Sequence, residues 1–253
     1  MSMPQVVSEL ASDRPVYFYD QLGCGKSDRA SDPRRYSLDN YVEELAELRK
    51  RLGLASIFLM GFSWGTALAC AYALKHGLDG IEGLILCGPY LSTALWDRDQ
   101  RANIARMPEA TRKAIEFGES QGDYGEAYQN AMMEYYARHI CRLSPWPDYL
   151  MNAFSKLNPE VYNSMWGPSE FTINGTLRYL DLLPSLKKLA VPVILICGDN
   201  DEANPRTVKE YQLAFPDASM AVLPKASHLH HIEQPEIFKA IIKDFLNGVE
   251  NKL

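Results

Sequence analysis

Two rhythms of apolar residues run through this chain. The first is a set of short, unbroken apolar runs: Ser56-Ile57-Phe58-Leu59-Met60, Gly83-Leu84-Ile85-Leu86-Cys87-Gly88, Val191-Pro192-Val193-Ile194-Leu195-Ile196-Cys197-Gly198 and Ser219-Met220-Ala221-Val222-Leu223. Runs of this length, bounded by Gly and Pro, predict strands buried on both faces, as in a parallel sheet. The second is helical spacing. Ser37 caps a stripe of Leu38, Tyr41, Val42, Leu45, Leu48 and Leu52, which Gly53 stops. Thr66 to Leu74 reads as a buried helix, and Pro235 to Val249 as a closing one. Residues 4 to 11 read as the tail of a helix, and Pro15-Val16-Tyr17-Phe18-Tyr19-Asp20 as a short strand. Strand, helix, strand makes a βαβ unit, whose right-handed crossover implies a parallel sheet.

Between Leu91 and Phe171 the strand rhythm stops. Helical stretches rich in aromatics replace it, among them Trp96, Tyr128, Tyr135, Tyr136, Trp146, Tyr149, Phe154, Tyr162 and Trp166. The expected organisation is an α/β core, residues 1–90 and 172–253, with an inserted helical cap over residues 91–171. The cap aromatics either form its core or wall a small apolar pocket.

Composition narrows the function classes. At 253 residues and 47% hydrophobic, the chain supports one large α/β domain or a core with an insertion. A net charge of -6, with no segment that concentrates Lys and Arg, argues against nucleic acid as a partner. No apolar run reaches the roughly 18 residues of a membrane span, and residues 1 to 10 lack the pattern of a signal peptide. Cys24, Cys70, Cys87, Cys141 and Cys197 stand singly, without metal-like spacing, which points to a reducing, cytoplasmic setting.

The chemistry centres on Gly61-Phe62-Ser63-Trp64-Gly65, which fits G-x-S-x-G between a predicted strand and a predicted helix. A nucleophile elbow holds its serine on a strained turn at the sheet's C-terminal edge, with the flanking glycines letting neighbouring backbone pass close. The simpler alternative is a strand-to-helix turn with a capping serine. The Gly25-Lys26-Ser27 ending of the earlier turn is not a P-loop: Asp20 stands where its first glycine is required, and a loop follows where a helix should begin. A serine hydroxyl needs a base, and the base an orienting acid, in the chain order Ser, Asp or Glu, His. Asp201 and His228 fall beyond strand ends in that order. Asp199 is the rival acid, set aside because Asp201 lies further into the loop. His230 and His231 stand close to His228, while His76 and His139 lie on predicted helices. No carboxylate or cysteine accompanies the three clustered histidines at metal-binding spacing, so no metal is expected.

Phe18-Tyr19-Asp20-Gln21-Leu22-Gly23-Cys24-Gly25-Lys26-Ser27-Asp28, the Ser63 elbow, Met165-Trp166-Gly167-Pro168-Ser169-Glu170-Phe171 and Gly198-Asp199-Asn200-Asp201-Glu202 together resemble the proline iminopeptidase family of α/β-hydrolases. The resemblance runs over nearly all of the chain. It implies an aminopeptidase of serine-hydrolase mechanism without cofactor, acting on small peptides or amides with a free N-terminus. Residue by residue it implies Ser63 as nucleophile, Asp201 as orienting acid, His228 as base, the Trp64 amide in the oxyanion hole, and Glu170 and Glu202 as carboxylates for the substrate's α-amino group. Without the resemblance, Glu170 reads equally as a surface residue and Glu202 as a helix-start acid.

Two departures accompany it. The family's His-Gly-Gly-Pro-Gly loop and the first three strands of its sheet do not stand before Val16. The expectation is a shortened hydrolase, with the segments at 16 to 20 and 56 to 61 held about 9.6 Å apart, twice the normal strand spacing. One oxyanion donor would be lost, at a cost of about 2.7 to 4 kcal/mol, so poor folding or weak activity is expected. Phe62 replaces a smaller residue, which narrows the pocket or does nothing. Two other readings stay open: a small ester or amide hydrolase of secondary metabolism, and a non-catalytic form that keeps the triad letters.

Overall fold

The computed structural model describes residues 9–12 and 14–251. At its centre is a wholly parallel sheet of four strands, in the order β1 (Ile57–Phe62), β2 (Ile81–Cys87), β3 (Val193–Gly198) and β4 (Ala218–Leu223). The helices in chain order are α1 (Leu38–Arg51), α2 (Trp64–His76), α3 (Thr93–Ile104), α4 (Glu109–Gln121), α5 (Glu126–His139), α6 (Asp148–Ser155), α7 (Pro159–Met165), α8 (Pro205–Ala214), the short α9 (His230–Glu233) and α10 (Pro235–Glu250). Among the described residues no helix is long and apolar enough to cross a membrane.

The continuous apolar runs form strands because the sheet is covered on both sides. Leu84, Leu86, Val193, Leu195 and Cys197 join the core beneath α1, α2 and α8, with Tyr41, Val42, Leu68, Val208 and Tyr211. Their neighbours Ile85, Cys87, Ile194 and Ile196 point the other way, onto Phe238, Ile242 and Leu246 of α10. Helix α1 begins and ends where its sequence directs. The Ser37 hydroxyl accepts from the Asn40 amide at 3.4 Å, and beyond the C-terminus Gly53 takes φ +63°. The five helices α3 to α7 fill the interval between β2 and β3 and carry a third apolar cluster, built on Ile104, Ile115, Tyr128, Tyr135, Tyr136 and Phe171.

One predicted element is absent. Residues 15–20 belong to no strand or helix, with Tyr17 56% and Phe18 53% exposed. A strand requires a neighbour for its main-chain groups, and a cavity of about 670 Å³ separates Val16–Tyr19 from Ile57–Phe62. Both segments line this cavity, and the predicted βαβ unit built on residues 16 to 20 does not form. The predicted helical tail at residues 4 to 11 is a 3-10 turn at Glu9–Ser12, and residues 4 to 8 lie outside the described residues.

Among the described residues β1 pairs only with β2, so its outer main-chain groups face the cavity. Hydrogen–deuterium exchange should replace the amides of residues 57–62 faster than those of residues 193–198, which are paired on both sides. Equal protection of the two segments would contradict an open edge at β1.

Candidate active site

The carboxyl ends of all four strands converge. β1 leads into Ser63, β2 into Gly88, β3 into Asp201 and Glu202, and the loop after β4 carries His228. The open carboxyl edge of a parallel sheet is where side chains from separate strands reach one space.

Ser63 has φ 51° and ψ -123°, a conformation that costs a non-glycine residue about 1–3 kcal/mol. Its surroundings hold it there. The Ser63 amide donates to the Cys87 carbonyl at 2.8 Å, its carbonyl accepts from the Thr66 amide at 2.9 Å and the Thr66 hydroxyl at 2.6 Å, and the Tyr90 amide donates to Thr66 Oγ1 at 2.9 Å. A Cβ at Gly61 would run into the Gly65 carbonyl, so this turn demands glycine at Gly61. At Gly65 a Cβ would meet nothing within 4 Å, so only one of the two motif glycines is needed for close approach. Ser63 makes no side-chain capping bond to α2, contrary to the simpler alternative. Trp64 is the first residue of α2, so its amide is one of the unpaired donors at a helix N-terminus.

Asp201, not Asp199, meets the histidine. His228 Nδ1 lies 2.8 Å from Asp201 Oδ1, and the Asp201 carboxylate also accepts from the Ala203 amide at 2.8 Å and the Gly198 amide at 3.2 Å. Asp199 instead accepts from the Lys225 and Ala226 amides at 2.9 and 3.1 Å, a turn role. Burial alone would raise the Asp201 pKa, but the charge and hydrogen bond of His228, then His230, hold it well below the ordinary carboxylate range. His230 is fully buried with Nδ1 3.6 Å from Asp201 Oδ2, while His231 packs edge-on against Phe62 at 5.0 Å. Phe62 also stacks towards Phe238, at 6.0 Å, so its ring is part of the packing under α10. His76 is a surface residue beside Glu43, and His139 ends α5 with Nδ1 on the Asn200 carbonyl at 3.0 Å.

Two contacts to His228 escape sequence reasoning. Gly88 takes φ +54°, and a Cβ there would stand 2.6 Å from His228 Cε1. Trp96 of α3 meets the His228 ring edge-on at 6.0 Å. The glycine after a strand was visible as a strand end, but nothing in the sequence ties it to a histidine 140 positions later.

Glu202 is 3% exposed, with Oε1 3.6 Å from His228 Nε2 and Oε2 buried without a hydrogen-bond partner among the described residues. Glu170, on the segment after α7, is partly exposed; its Oε2 accepts from the Tyr136 hydroxyl at 2.7 Å and the Tyr162 hydroxyl at 3.1 Å. Neither is the bland surface or helix-start acid. Burial, with Glu170 and Asp201 nearby, pushes the Glu202 carboxyl well up despite the opposing pull of His228. Burial raises Glu170 as well, against its two tyrosine hydrogen bonds. Burial opposes charge on His228, but Asp201, Glu202 and Glu170 outweigh it and raise the imidazole to about 9. Among the described residues the Ser63 hydroxyl forms no hydrogen bond, and the free nitrogen of His228 faces Glu202.

The chain matches the α/β-hydrolase fold family over residues 2–235. It is 41% identical to a proline iminopeptidase of Heyndrickxia coagulans over 242 residues, 95% of this chain and 84% of that protein. The crystal structure of a Mycobacterium smegmatis proline iminopeptidase superposes with a TM-score of 0.90 at 31% identity, covering 98% of this chain and 85% of that one. The VinJ crystal structure gives 0.91 at 31% identity, over 97% and 85% of the two chains.

Gly88→Ala should displace the His228 ring while leaving the core intact. The expected result is labelling of Ser63 by a serine-directed fluorophosphonate at least about tenfold slower, equivalent to ~1.4 kcal/mol, with circular dichroism unchanged. Unaltered labelling would show that Gly88 does not set the ring's position.

Proposed function

Because the chain belongs to the proline iminopeptidase family of α/β hydrolases, and is thereby a serine hydrolase, we propose that it releases N-terminal proline, or a similar residue, from small peptides and amides with a free α-amino group. In this reading the Ser63 hydroxyl gives its proton to His228 Nε2 as its oxygen attacks the carbonyl carbon of the first residue. The Trp64 amide donates to the developing oxyanion. His228 then passes the proton to the departing amine, and the acyl group stays on Ser63. A water molecule, deprotonated by His228, attacks that ester; the proton returns to Ser63 Oγ and the amino acid leaves. Asp201 holds the imidazole with Nδ1 protonated and Nε2 available. No cofactor takes part.

The observation that carries the substrate assignment is that Glu202 stands 3.6 Å from His228 Nε2 and that Glu170 acts on the same imidazole through its charge. A cationic amine docking on these carboxylates gains two partners in a poorly hydrated space, and a substrate without that charge leaves them unmatched. The same docking prepares the base. Glu202 and Glu170 help to keep His228 protonated, and an imidazolium accepts no proton. An ammonium between the carboxylates cancels their field at His228, lowers its pKa and releases Nε2 from Glu202 towards Ser63.

A cytoplasmic setting is consistent with five free cysteines, four of them buried. The helices α3 to α7 act in this proposal as the cap, since they supply Trp96, Tyr136, Tyr162 and, just beyond α7, Glu170.

Glu170→Ala and Glu202→Ala separate an aminopeptidase from a general esterase. Each should lower kcat/KM for proline p-nitroanilide by about a hundredfold or more, given ~3–5 kcal/mol for breaking a buried ion pair, and leave p-nitrophenyl acetate hydrolysis little changed. Parallel losses on both substrates would remove the amine assignment and favour the esterase reading.

A further inference from the structure

Behind the loop that carries Asp201 lies a second cleft, separate from the one described above. Its volume is about 500 Å³, and it is lined by Asn103, Arg106 and Met107 at the end of α3, Arg138 and His139 at the end of α5, and Arg142 and Asn200 beyond. Three arginines, one just beyond α3 and two at and just beyond the end of α5, thus line one cleft in a protein of net charge -6. Among the described residues none of the three guanidinium groups forms an ion pair within 4 Å, although most of the other arginines on this surface do, Arg98, Arg101 and Arg112 included. No carboxylate lines the cleft. The acid whose titration Arg142 influences, Asp199, is held by the amides of Lys225 and Ala226.

Magnitudes decide the sign of the field there. The C-termini of α3 and α5 both end at the cleft, each equivalent to about half a negative charge. Against three guanidinium groups this leaves an excess of positive charge on the cleft's own walls; the nearby carboxylates outside it, Glu233 on the Arg142 amide at 2.7 Å and Asp199, are held by main-chain and hydroxyl donors. Burial holds the His139 imidazole below its ordinary pKa; its bond to the Asn200 carbonyl and the Asp201 charge oppose this, and Arg138 and Arg106 add smaller downward pulls. Three arginines lining a space of this size supply the kind of donors that match the oxygens of a small multivalent anion.

The wall is also the support of the catalytic loop. The His228 amide donates to the His139 carbonyl at 3.0 Å and the Leu229 amide to the Ile140 carbonyl at 2.8 Å. His139 Nδ1 in turn bonds the Asn200 carbonyl at 3.0 Å, and the Asn200 amide donates to Ala226 at 2.9 Å. A group that draws Arg138, Arg142 and Asn200 together therefore acts on the two loops that place Asp201 and His228.

We propose that this cleft binds a small multivalent oxyanion, and that its occupancy is transmitted to His228 through the His139 and Ile140 carbonyls. The shared chemistry is a compact group with at least two negative charges, whether phosphate or carboxylate, and pyrophosphate and citrate serve as separate probes. Calorimetric titration of the purified 253-residue chain at matched ionic strength should show saturable, one-to-one binding of at least one of them. The triple substitution Arg106→Gln, Arg138→Gln, Arg142→Gln should weaken that binding by at least about tenfold. A control with the same change in charge, Arg29→Gln, Arg34→Gln, Arg35→Gln, should not. Saturating probe should change the rate at which a fluorophosphonate labels Ser63 by at least about twofold in the unmodified chain and in the control, but not in the triple variant. No saturable binding, or equal weakening in the control, would overturn the site; an unchanged labelling rate at saturation would overturn the transmission to His228. Neither readout depends on the peptide substrate, so failure here is distinct from failure of the aminopeptidase reading.

Discussion

Three carboxylates around one imidazole set the terms for this site. Asp201 bonds His228 Nδ1 at 2.8 Å, Glu202 approaches Nε2 at 3.6 Å, and Glu170 adds its charge from the segment beyond α7. A lone charge of either sign would be costly in this space, and repulsion between neighbouring carboxylates raises the affinity of the group for positive charge. Part of that demand is met by protonating His228. In the proposed function a substrate ammonium meets it instead, so amine recognition and base activation become one electrostatic event.

The fold delivers these groups by a simple device. Four parallel strands end at one edge, and each contributes one part of the site: the strained Ser63 turn, the Gly88 bed for the histidine ring, the Asp201 loop and the His228 loop. The strain at Ser63 is sustained by hydrogen bonds to Cys87 and Thr66, and Thr66 is itself tied to Tyr90 beyond β2. Packing on both faces of β2 and β3 supplies the rigidity that this requires.

Much of this was legible in the residues alone. The four apolar runs became the four strands, with their ends moved by a residue or two, because continuous burial is a property of the run itself. Ser63, Asp201 and His228 each stand just past a strand, and loops at strand ends are readable from Gly and Pro. Residues 15–20 misled because strand formation depends on a partner: the local pattern is that of a strand, and among the described residues no strand pairs with it. Gly88 and Trp96 at His228, and Tyr136 and Tyr162 at Glu170, were hidden because their partners are remote in sequence. The arginine cleft was invisible for the same reason. Arg138 and Arg142 are four residues apart, and only folding brings Arg106 to them.

The most direct test of the account is the charge on His228 itself, followed by nuclear magnetic resonance of histidine-labelled Ser63→Ala protein, which binds substrate without turnover. At neutral pH, below the raised value of about 9, the free protein should show His228 protonated. Saturation with prolinamide should shift its resonances to those of the neutral imidazole, while an uncharged analogue should leave them in place. A His228 that is neutral without ligand, or one that stays protonated with prolinamide bound, would contradict the coupling between the carboxylates and the base.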